Sequence, residues 1–216
     1  MNQIQFDGIL SYDDWDVFLT SFFVGDAEPK EHYIDIPFSH GSLDLTETLT
    51  GEVSYGNRDF EAVFTIKPPR SNWPDFLRMA RSYLNGKKRV IRILDDPGYY
   101  LIGRCKTAFE IDGVVGVLTV TATCEPWKYK NALTTKYVMI GAGGQAVVYL
   151  FNAHKNVIPT VTASAPVTVT FDGQTINVPA GTSNVTNMVL AGGENPVIIT
   201  GTAGTDITIT YQEGAL

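Results

Sequence analysis

Charged side chains are distributed very unevenly along the 216 residues of this chain. Residues 1–130 contain 33 of them, 19 acidic and 14 basic, whereas residues 131–216 contain six. Those six are Lys136, Lys155, Asp172, Glu194, Asp206 and Glu213. All three tryptophans also lie in the first part. Two parts with such different surfaces are typical of separate domains, so the sequence predicts one domain over residues 1–130 and another over residues 131–216.

Segments of the first domain alternate between apolar and polar residues with the period of a β-strand. Residues 60–67 are the clearest case, in which only Val63 interrupts the alternation. Residues 90–94 and 99–111 flank a turn sequence, Asp95-Asp96-Pro97-Gly98, and residues 114–123 complete a hairpin with residues 99–111. The first domain is therefore predicted to be mainly β.

One helix is predicted in this domain, over about residues 73–85. Six apolar residues recur at helical spacing and would form one buried stripe: Trp73, Phe76, Leu77, Ala80, Tyr83 and Leu84. Ser71 or Asn72 can cap the N-terminus. Pro74 suits the first turn, and Gly86 can end the helix. We interpret the aromatic stripe as core packing rather than as a ligand site.

The second domain contains short strands at intervals of about ten residues, which is the rhythm of a β-sandwich. Residues 167–171 alternate, turn at Asp172-Gly173 and return through Ile176 and Val178. Residues 197–199 lead into a second alternating segment, residues 207–211. The apolar residues at 167, 169 and 171 and at 207, 209 and 211 are expected to share one core. No helix is predicted here.

The two cysteines, Cys105 and Cys124, lie on the two strands of the predicted hairpin. With a two-residue turn at Asp112-Gly113, Cys105 would face Val120 and Cys124 would face Leu101. The sulfur atoms would then be about 13 Å apart along the ladder, too far for a disulfide. Two free thiols are typical of a protein made in a reducing compartment.

The net charge of the chain is −7. Binding to nucleic acid is driven by the release of counterions from a basic surface, so we expect no stable nucleic-acid binding. The basic run Lys87-Lys88-Arg89 follows the predicted helix end, where cations complement the helix dipole. The N-terminus lacks the basic and apolar regions of a signal peptide. The longest apolar stretch, residues 137–151, is too short to span a bilayer, so we expect cytoplasmic synthesis and no membrane insertion.

No motif for catalysis, cofactor binding or metal binding is present. The three histidines have no metal-ligand spacing, and the glycine-rich residues 141–144 lack the lysine and helix of a phosphate loop. Asp13, Asp14 and Asp16 form a carboxylate cluster that could hold a divalent cation, but a solvated turn is the preferred interpretation. The sequence therefore predicts no enzyme, no cofactor, and no catalytic, cofactor-binding or metal-binding residues.

A β-sandwich with few charges could instead bind sugars, whose apolar faces stack on aromatic rings. The second domain has five aromatic residues, most of which alternate as core residues would: Tyr137, Tyr149, Phe151, Phe171 and Tyr211. His154 and Asn156 resemble a galectin-type pair, although Ile158 stands where such a site has arginine.

Six groups of residues follow one another along nearly the whole chain. They are Phe6-Asp7-Gly8-Ile9 with Ser11-Tyr12-Asp13, Gly56-Asn57-Arg58-Asp59-Phe60, Leu84-Asn85-Gly86-Lys87, Asp95-Asp96 with Tyr99-Tyr100 and Gly103-Arg104, Cys124-Glu125-Pro126-Trp127-Lys128-Tyr129, and Ile207-Thr208-Ile209-Thr210-Tyr211-Gln212-Glu213-Gly214. In order and spacing they resemble the distal tail (Dit) proteins of phages and prophages with long, flexible tails. The resemblance implies an N-terminal β-barrel-like domain with one α-helix, followed by a galectin-like β-sandwich.

The resemblance also implies a structural protein of the virion tail tip, synthesised and assembled in the bacterial cytoplasm. Such a protein forms a ring, usually of six copies, that joins the tail tube to the tail-tip or baseplate hub and lets DNA pass. The implied partners are further copies of the chain, the tail tube protein and the hub protein, with the tape-measure protein as another candidate. An acidic ring without basic patches would let DNA pass without binding it.

Two other functions are open at this point. The first is a carbohydrate-binding adhesin module that recognises host-surface glycans. Dit proteins often carry sugar-binding insertions in the C-terminal domain, but 216 residues leave no room for one. The second is a hydrolase with a site between the two domains, for which the sequence indicates no residues.

Overall fold

The computed structural model describes residues 3–48 and 50–216. The fold is mainly β, which confirms the predicted class. The described residues divide into two compact units, one ending at Lys128 and including Leu216, the other spanning Tyr129–Ala215. Each unit encloses its own hydrophobic core.

The first unit consists mainly of one antiparallel sheet and a helix. Its strands are β1 (Ile4–Phe6), β2 (Ile9–Leu10), β3 (Val17–Val24), β4 (Tyr33–Asp35), β5 (Ser42–Asp44), β6 (Arg58–Ile66), β7 (Lys88–Ile93), β8 (Tyr99–Asp112) and β9 (Val115–Cys124). A 3-10 turn, Arg70–Asn72, leads into the helix α1, Trp73–Leu84. Seven strands pair in the order β2-β1-β7-β8-β9-β6-β3, and β4 and β5 form a separate hairpin.

The sheet curls around its core as a barrel does. Strands β1 and β6 are four positions apart in the strand order, which would separate them by about 19 Å in a flat sheet. The ring of Phe6 on β1 nevertheless lies 6.4 Å, between centroids, from the rings of both Phe60 and Phe64 on β6. The three rings are fully buried, so they hold the two ends of the sheet together.

The helix α1 covers this core with the predicted face. Trp73, Phe76, Leu77, Ala80 and Leu84 are buried, and Tyr83 packs against the core while partly exposed. The predicted side-chain cap is wrong. The backbone at the N-terminal cap position already has helical angles, because the 3-10 turn precedes it, and no side chain caps the helix. A capping side chain normally requires an extended backbone at this position.

The register of the β8–β9 hairpin differs from the predicted one. Asp112 pairs with Val115, so the turn consists of Gly113 and Val114 rather than Asp112 and Gly113. Gly113 has a φ of 59°, which suits the first central position of a type II′ turn. Cys105 consequently faces Ala122 and Cys124 faces Gly103, two residues apart along the ladder rather than four. Both cysteines are buried and free.

The second unit is a β-sandwich. Its strands are β10 (Lys128–Lys130), β11 (Thr134–Met139), β12 (Gln145–Asn152), β13 (Thr160–Ala163), β14 (Val167–Phe171), β15 (Gln174–Val178), β16 (Gly181–Asn184), β17 (Gly193–Gly201), β18 (Asp206–Tyr211) and β19 (Gly214–Ala215). One sheet has the order β11-β18-β13-β16 and the other β12-β17-β14-β15, while β10 pairs with β19.

The core of the sandwich contains the residues that the alternation predicted. The apolar residues of 167–171 and 207–211 all lie in one cluster, with Phe171 at its margin. Asp172 and Gly173 both have positive φ, 47° and 71°, as a type I′ hairpin turn requires.

A buried glutamate ties the C-terminal end of the second unit to its first strands. The Glu213 side chain is 6% exposed, and its carboxylate accepts hydrogen bonds from the Lys130 ammonium at 2.7 Å and from the Thr134 hydroxyl. Burial raises the pKa of Glu213, but these hydrogen bonds outweigh burial and hold the pKa below its ordinary value. A carboxylate with a lowered pKa in the folded state stabilises the fold at neutral pH, and the stabilisation disappears as the pH falls through that pKa.

Replacing Glu213 with glutamine is therefore expected to lower the free energy of unfolding of the second unit by about 2 kcal/mol at neutral pH, because a charged hydrogen-bonding partner is lost. The difference between variant and wild type should shrink in acid, where the wild-type carboxylate is protonated. Thermal unfolding followed by circular dichroism at two pH values measures both effects. The exposed Glu194, changed to glutamine, is the matched control. A loss of stability that does not change with pH would contradict the assignment.

Candidate assembly surface

The residues between β3 and β6 leave the sheet as a projecting hairpin. We refer to residues 25–57 as the hairpin segment. Its base is fixed by a bridge between Pro29 and Tyr55, and its outer part is the β4–β5 pair. All residues from 28 to 44 are exposed. This part of the segment therefore has little contact with the core of its own unit.

The base of the hairpin segment is anchored by the Cys124–Tyr129 motif noted in the sequence. The Arg58 guanidinium donates from Nε to the Pro126 carbonyl at 2.9 Å. The Trp127 ring lies edge-on to the Tyr55 ring, with 5.5 Å between centroids. Since Arg58 is almost fully buried, this motif fixes where the segment returns to the sheet at β6.

The exposed part of the segment carries large apolar side chains. Five of them are exposed: Tyr33, Ile34, Ile36, Phe38 and Leu43. Phe38 is fully exposed and has a φ of 65°, a conformation that is costly for a bulky residue. An isolated two-stranded hairpin is marginally stable in water, and exposed apolar patches mark interaction sites. The hairpin segment thus has the chemistry of a surface that another molecule covers.

Strand β3, which leads into the hairpin segment, is an edge strand. It pairs with β6 on one side only, so its other side offers unpaired backbone groups. Phe22 and Phe23 at its end are exposed, Phe23 by 61%. The end of β3 and the hairpin segment together form the candidate assembly surface of the first unit.

The carboxylates that sequence analysis singled out do not form a common site. The Asp13 carboxylate accepts from Gln3, that of Asp14 accepts from the Leu10 N–H, and Asp16 pairs with Lys67. Among the described residues, no group of three or more His, Cys, Asp or Glu side chains is arranged to hold a metal ion. The three carboxylates thus make separate contacts around the turn before β3.

The cysteine thiols lie in the core of the first unit. Burial raises the pKa of Cys105 to about 11 and that of Cys124 to about 12, so both remain protonated at neutral pH. A protonated, buried thiol is a poor nucleophile.

Neither helix of the described residues is long and apolar enough to cross a membrane.

A second exposed apolar face lies on the sandwich. The outer side of the β12-β17-β14-β15 sheet presents Val147, Tyr149 and Phe151 from β12 beside Ile198 from β17. Tyr137 on β11 is also exposed. The expectation that most aromatic residues of this unit belong to its core is therefore wrong. Strand β12 is apolar on both faces, and its buried face is formed by Val148, Leu150 and Asn152.

His154 and Asn156 lie in the loop after β12, and both are exposed. Ile158, at the position where a galectin-type site would have arginine, is also exposed. The position at which such a site has arginine therefore supplies no cation to this pair.

Among solved structures, the chain is similar over its whole length to the SPP1 Dit (gp 19.1) protein, described as a paradigm of the hub adsorption apparatus in phages that infect Gram-positive bacteria. The alignment covers 100% of both chains, with a TM-score of 0.71 and 15% sequence identity. The chain has the Dit fold. The resemblance noted in the sequence is thus confirmed at the level of the fold.

The other comparisons give no further information on the fold or family of the chain. A designed double-stranded β-helix aligns with 38% of the chain at 10% identity and a TM-score of 0.27, too low to indicate a shared fold. No protein-family model matches the sequence, and no curated protein matches it.

Proposed function

We propose that this chain is a structural protein of a phage tail tip that assembles into a ring through its first unit. The observation that carries the proposal is the full-length Dit fold, similar to a protein described as part of a hub adsorption apparatus. The exposed hairpin segment supports it, because its apolar side chains are uncovered in a single copy. In this role the chain performs no catalytic step.

The shape of the candidate assembly surface favours a ring over a two-fold dimer. A projecting hairpin that is received by a different surface on the next copy, without mutual exchange between two copies, makes a heterologous contact. Heterologous contacts form a ring when the rotation between copies closes, and an open filament when it does not. A ring of six copies would join the tail tube protein to the hub protein in the virion, with the tape-measure protein as a further partner, after synthesis in the bacterial cytoplasm. DNA would pass through it, and the net charge of −7 disfavours its retention.

Ring formation can be measured on the purified chain. We expect light scattering and native mass spectrometry to show a closed oligomer at high concentration, and negative-stain images to show rotational symmetry. Replacing residues 31–53 with two glycines should abolish it, since Lys30 and Ser54 are already joined by a backbone hydrogen bond of 2.8 Å.

The matched control for this deletion is Tyr149→Ser with Phe151→Ser, which removes exposed apolar area from the sandwich instead. A wild-type chain that remains monomeric both alone and with its tail tube and hub proteins would overturn the proposal.

A carbohydrate-binding adhesin is the second candidate. The exposed Tyr149 and Phe151 on the outer side of β12 favour it, because aromatic rings on a sheet face can stack against sugars. Binding to a glycan array that disappears in Tyr149→Ala, while oligomerisation is retained, would support this function of the second unit.

A further inference from the structure

Three neighbouring strands of the first unit, β8, β9 and β6, share one outer side. Along each strand, residues that face the core alternate with more exposed residues, and the second set forms this side. We refer to it as the β9 face, after its central strand. Its residues are Arg104, Lys106, Ala108 and Glu110 on β8, Thr123, Thr121, Thr119 and Val117 on β9, and Asp59, Glu61, Val63 and Thr65 on β6.

Charge on the β9 face is separated into two columns. In two adjacent rows across the sheet, β8 carries a cation, β9 a threonine and β6 a carboxylate. These rows are Arg104–Thr123–Asp59 and Lys106–Thr121–Glu61. The other two rows are Ala108–Thr119–Val63 and Glu110–Val117–Thr65. The face is thus neither acidic nor basic as a whole. It has a positive and a negative column, separated by two strand spacings, or about 10 Å.

The charges of the two columns are not neutralised within one copy. Among the described residues, none of the four charged side chains in the two adjacent rows forms an ion pair. Arg104 instead donates to the Gly86 carbonyl at 2.7 Å. Lys88, which is opposite Arg104 on β7, pairs with Glu125 just beyond the end of β9. The four charges therefore remain available to a second molecule.

The centre of the β9 face is open and uncharged. A groove of about 450 Å³ lies between the two columns, with Asp59 and Glu61 on one side, Lys106 on the other, and Thr121 and Thr123 between them. Covering these threonines desolvates no charged group, so a second surface can approach the central strand at little cost. The partner that fits best has an uncharged centre and the same two columns in the opposite order.

A second copy of the β9 face is such a partner. A two-fold axis that runs along β9, between the two faces, places β8 of each copy over β6 of the other. Every row keeps its level, because the axis is parallel to the strands. Arg104 then meets Asp59 of the second copy, and Lys106 meets Glu61 of the second copy. Each charge contact occurs twice, which is the property of an isologous interface.

The same charges disfavour the other orientation. A two-fold axis across the strands would place each column over itself, so that cations met cations and carboxylates met carboxylates, which opposes association. With the axis along β9, the remaining charge of the face, Glu110, meets the neutral Thr65. Stacked sheets lie about 10 Å apart, a gap that a long cationic side chain and a carboxylate can span together.

We propose that the β9 face binds the β9 face of a second copy, with the two copies related by a two-fold axis along β9. The uncharged central strands make the close contact, and the charged columns fix its orientation. This contact goes beyond the proposed ring, because it involves neither the hairpin segment nor the edge strand β3, and it joins copies in pairs. Since its charges are exposed, it should weaken as ionic strength rises.

A cysteine placed near the axis tests the pairing in the full chain. A residue of β9 on this face would lie opposite itself in the second copy, and Thr123 is exposed. We expect a short bismaleimide to cross-link Thr123→Cys into a covalent dimer, measured on a denaturing gel. Wild type gives the background from Cys105 and Cys124, which are buried. The matched control, Ser82→Cys on the exposed side of α1, should give little dimer.

Charge variants of the Thr123→Cys chain test whether the two columns hold the dimer together. Arg104→Glu with Lys106→Glu makes both columns acidic, so we expect the amount of dimer to fall at least about tenfold. Adding Asp59→Arg and Glu61→Lys exchanges the columns, and the amount of dimer should recover. Recovery also shows that the altered sheet is folded. The exchanged chain mixed with its parent should form few mixed dimers by mass spectrometry, because like charges would meet in them.

Two results would overturn the pairing while leaving the proposed ring intact. The first is that Thr123→Cys gives no more dimer than Ser82→Cys. The second is that the amount of dimer does not change on charge reversal, or does not recover when the columns are exchanged. If the dimer behaves as expected but wild type forms no closed oligomer, alone or with its tail partners, the ring is wrong and the pairing stands.

Discussion

Replacing Gly103 with alanine is expected to lower the free energy of unfolding of the first unit by about 3 kcal/mol, because it overpacks a closely packed core. A Cβ atom at this position would lie 2.5 Å from the Cys124 sulfur. It would also lie 3.2 Å from the Ala122 Cβ and 3.3 Å from the Cys124 Cα. Gly103 and Cys124 are directly paired and buried, so neither strand can move aside cheaply.

A second substitution shows whether the sulfur is the cause. Cys124→Ala removes it, and the double variant Gly103→Ala with Cys124→Ala should be more stable than Gly103→Ala alone. The expected coupling is about 1–3 kcal/mol, as for residues in direct contact. Gly98→Ala is the matched control, since nothing lies within 4 Å of a Cβ built there. Urea unfolding followed by tryptophan fluorescence reports the first unit, which contains all three tryptophans. Strictly additive effects would contradict the predicted clash.

The sequence predicted these two hairpin turns to within one residue, but it did not predict which residues occupy their central positions. The same dipeptide, Asp-Gly, occurs at residues 112–113 and 172–173. The second forms the two central residues of its turn, whereas Gly113 takes the first central position of the other. The observed β8–β9 register brings Gly116 beneath Trp73, where a Cβ would lie 3.1 Å from the indole. Buried glycines facing large side chains are thus a signal for register that alternation alone does not provide.

The candidate assembly surface was less predictable than the core. Alternation locates strands that have one buried face, but the hairpin segment has none, so its residues show no period. Its acidic composition is a signal in the sequence that the assignment of strands did not use. The juxtaposition of Lys88 and Arg104 could not be inferred either, because the two residues are distant in sequence and become neighbours only through β7–β8 pairing.

Alternation is also a limited guide in the sandwich, where one strand is apolar on both faces. Tyr149 and Phe151 alternate with polar and apolar neighbours as core residues do, yet they are exposed. The pattern identifies the two faces of a strand, but it does not say which face is inside when both are apolar. That choice depends on the second sheet, which the sequence does not position.

Replacing Phe6 with alanine is expected to destabilise the first unit by about 4 kcal/mol, since it removes a fully buried aromatic ring and leaves a cavity. The ring contacts Phe60 and Phe64, and it also stacks on Trp15 with 6.0 Å between centroids. Its loss should lower the free energy of unfolding more than the loss of a ring in a flat sheet would, because these contacts join strands that are far apart in the strand order.

Phe23→Ala removes the same side chain from an exposed position and should change the free energy of unfolding by no more than about 0.5 kcal/mol. Phe6→Leu keeps most of the volume, so its effect should lie between the two. Tryptophan fluorescence during urea unfolding measures all three, and Trp15 reports the altered site directly. Because the hairpin segment returns to the sheet at β6, Phe6→Ala should also reduce ring assembly at temperatures where the first unit of wild type is still folded. Equal destabilisation by Phe6→Ala and Phe23→Ala would show that closure of the sheet does not depend on this aromatic cluster.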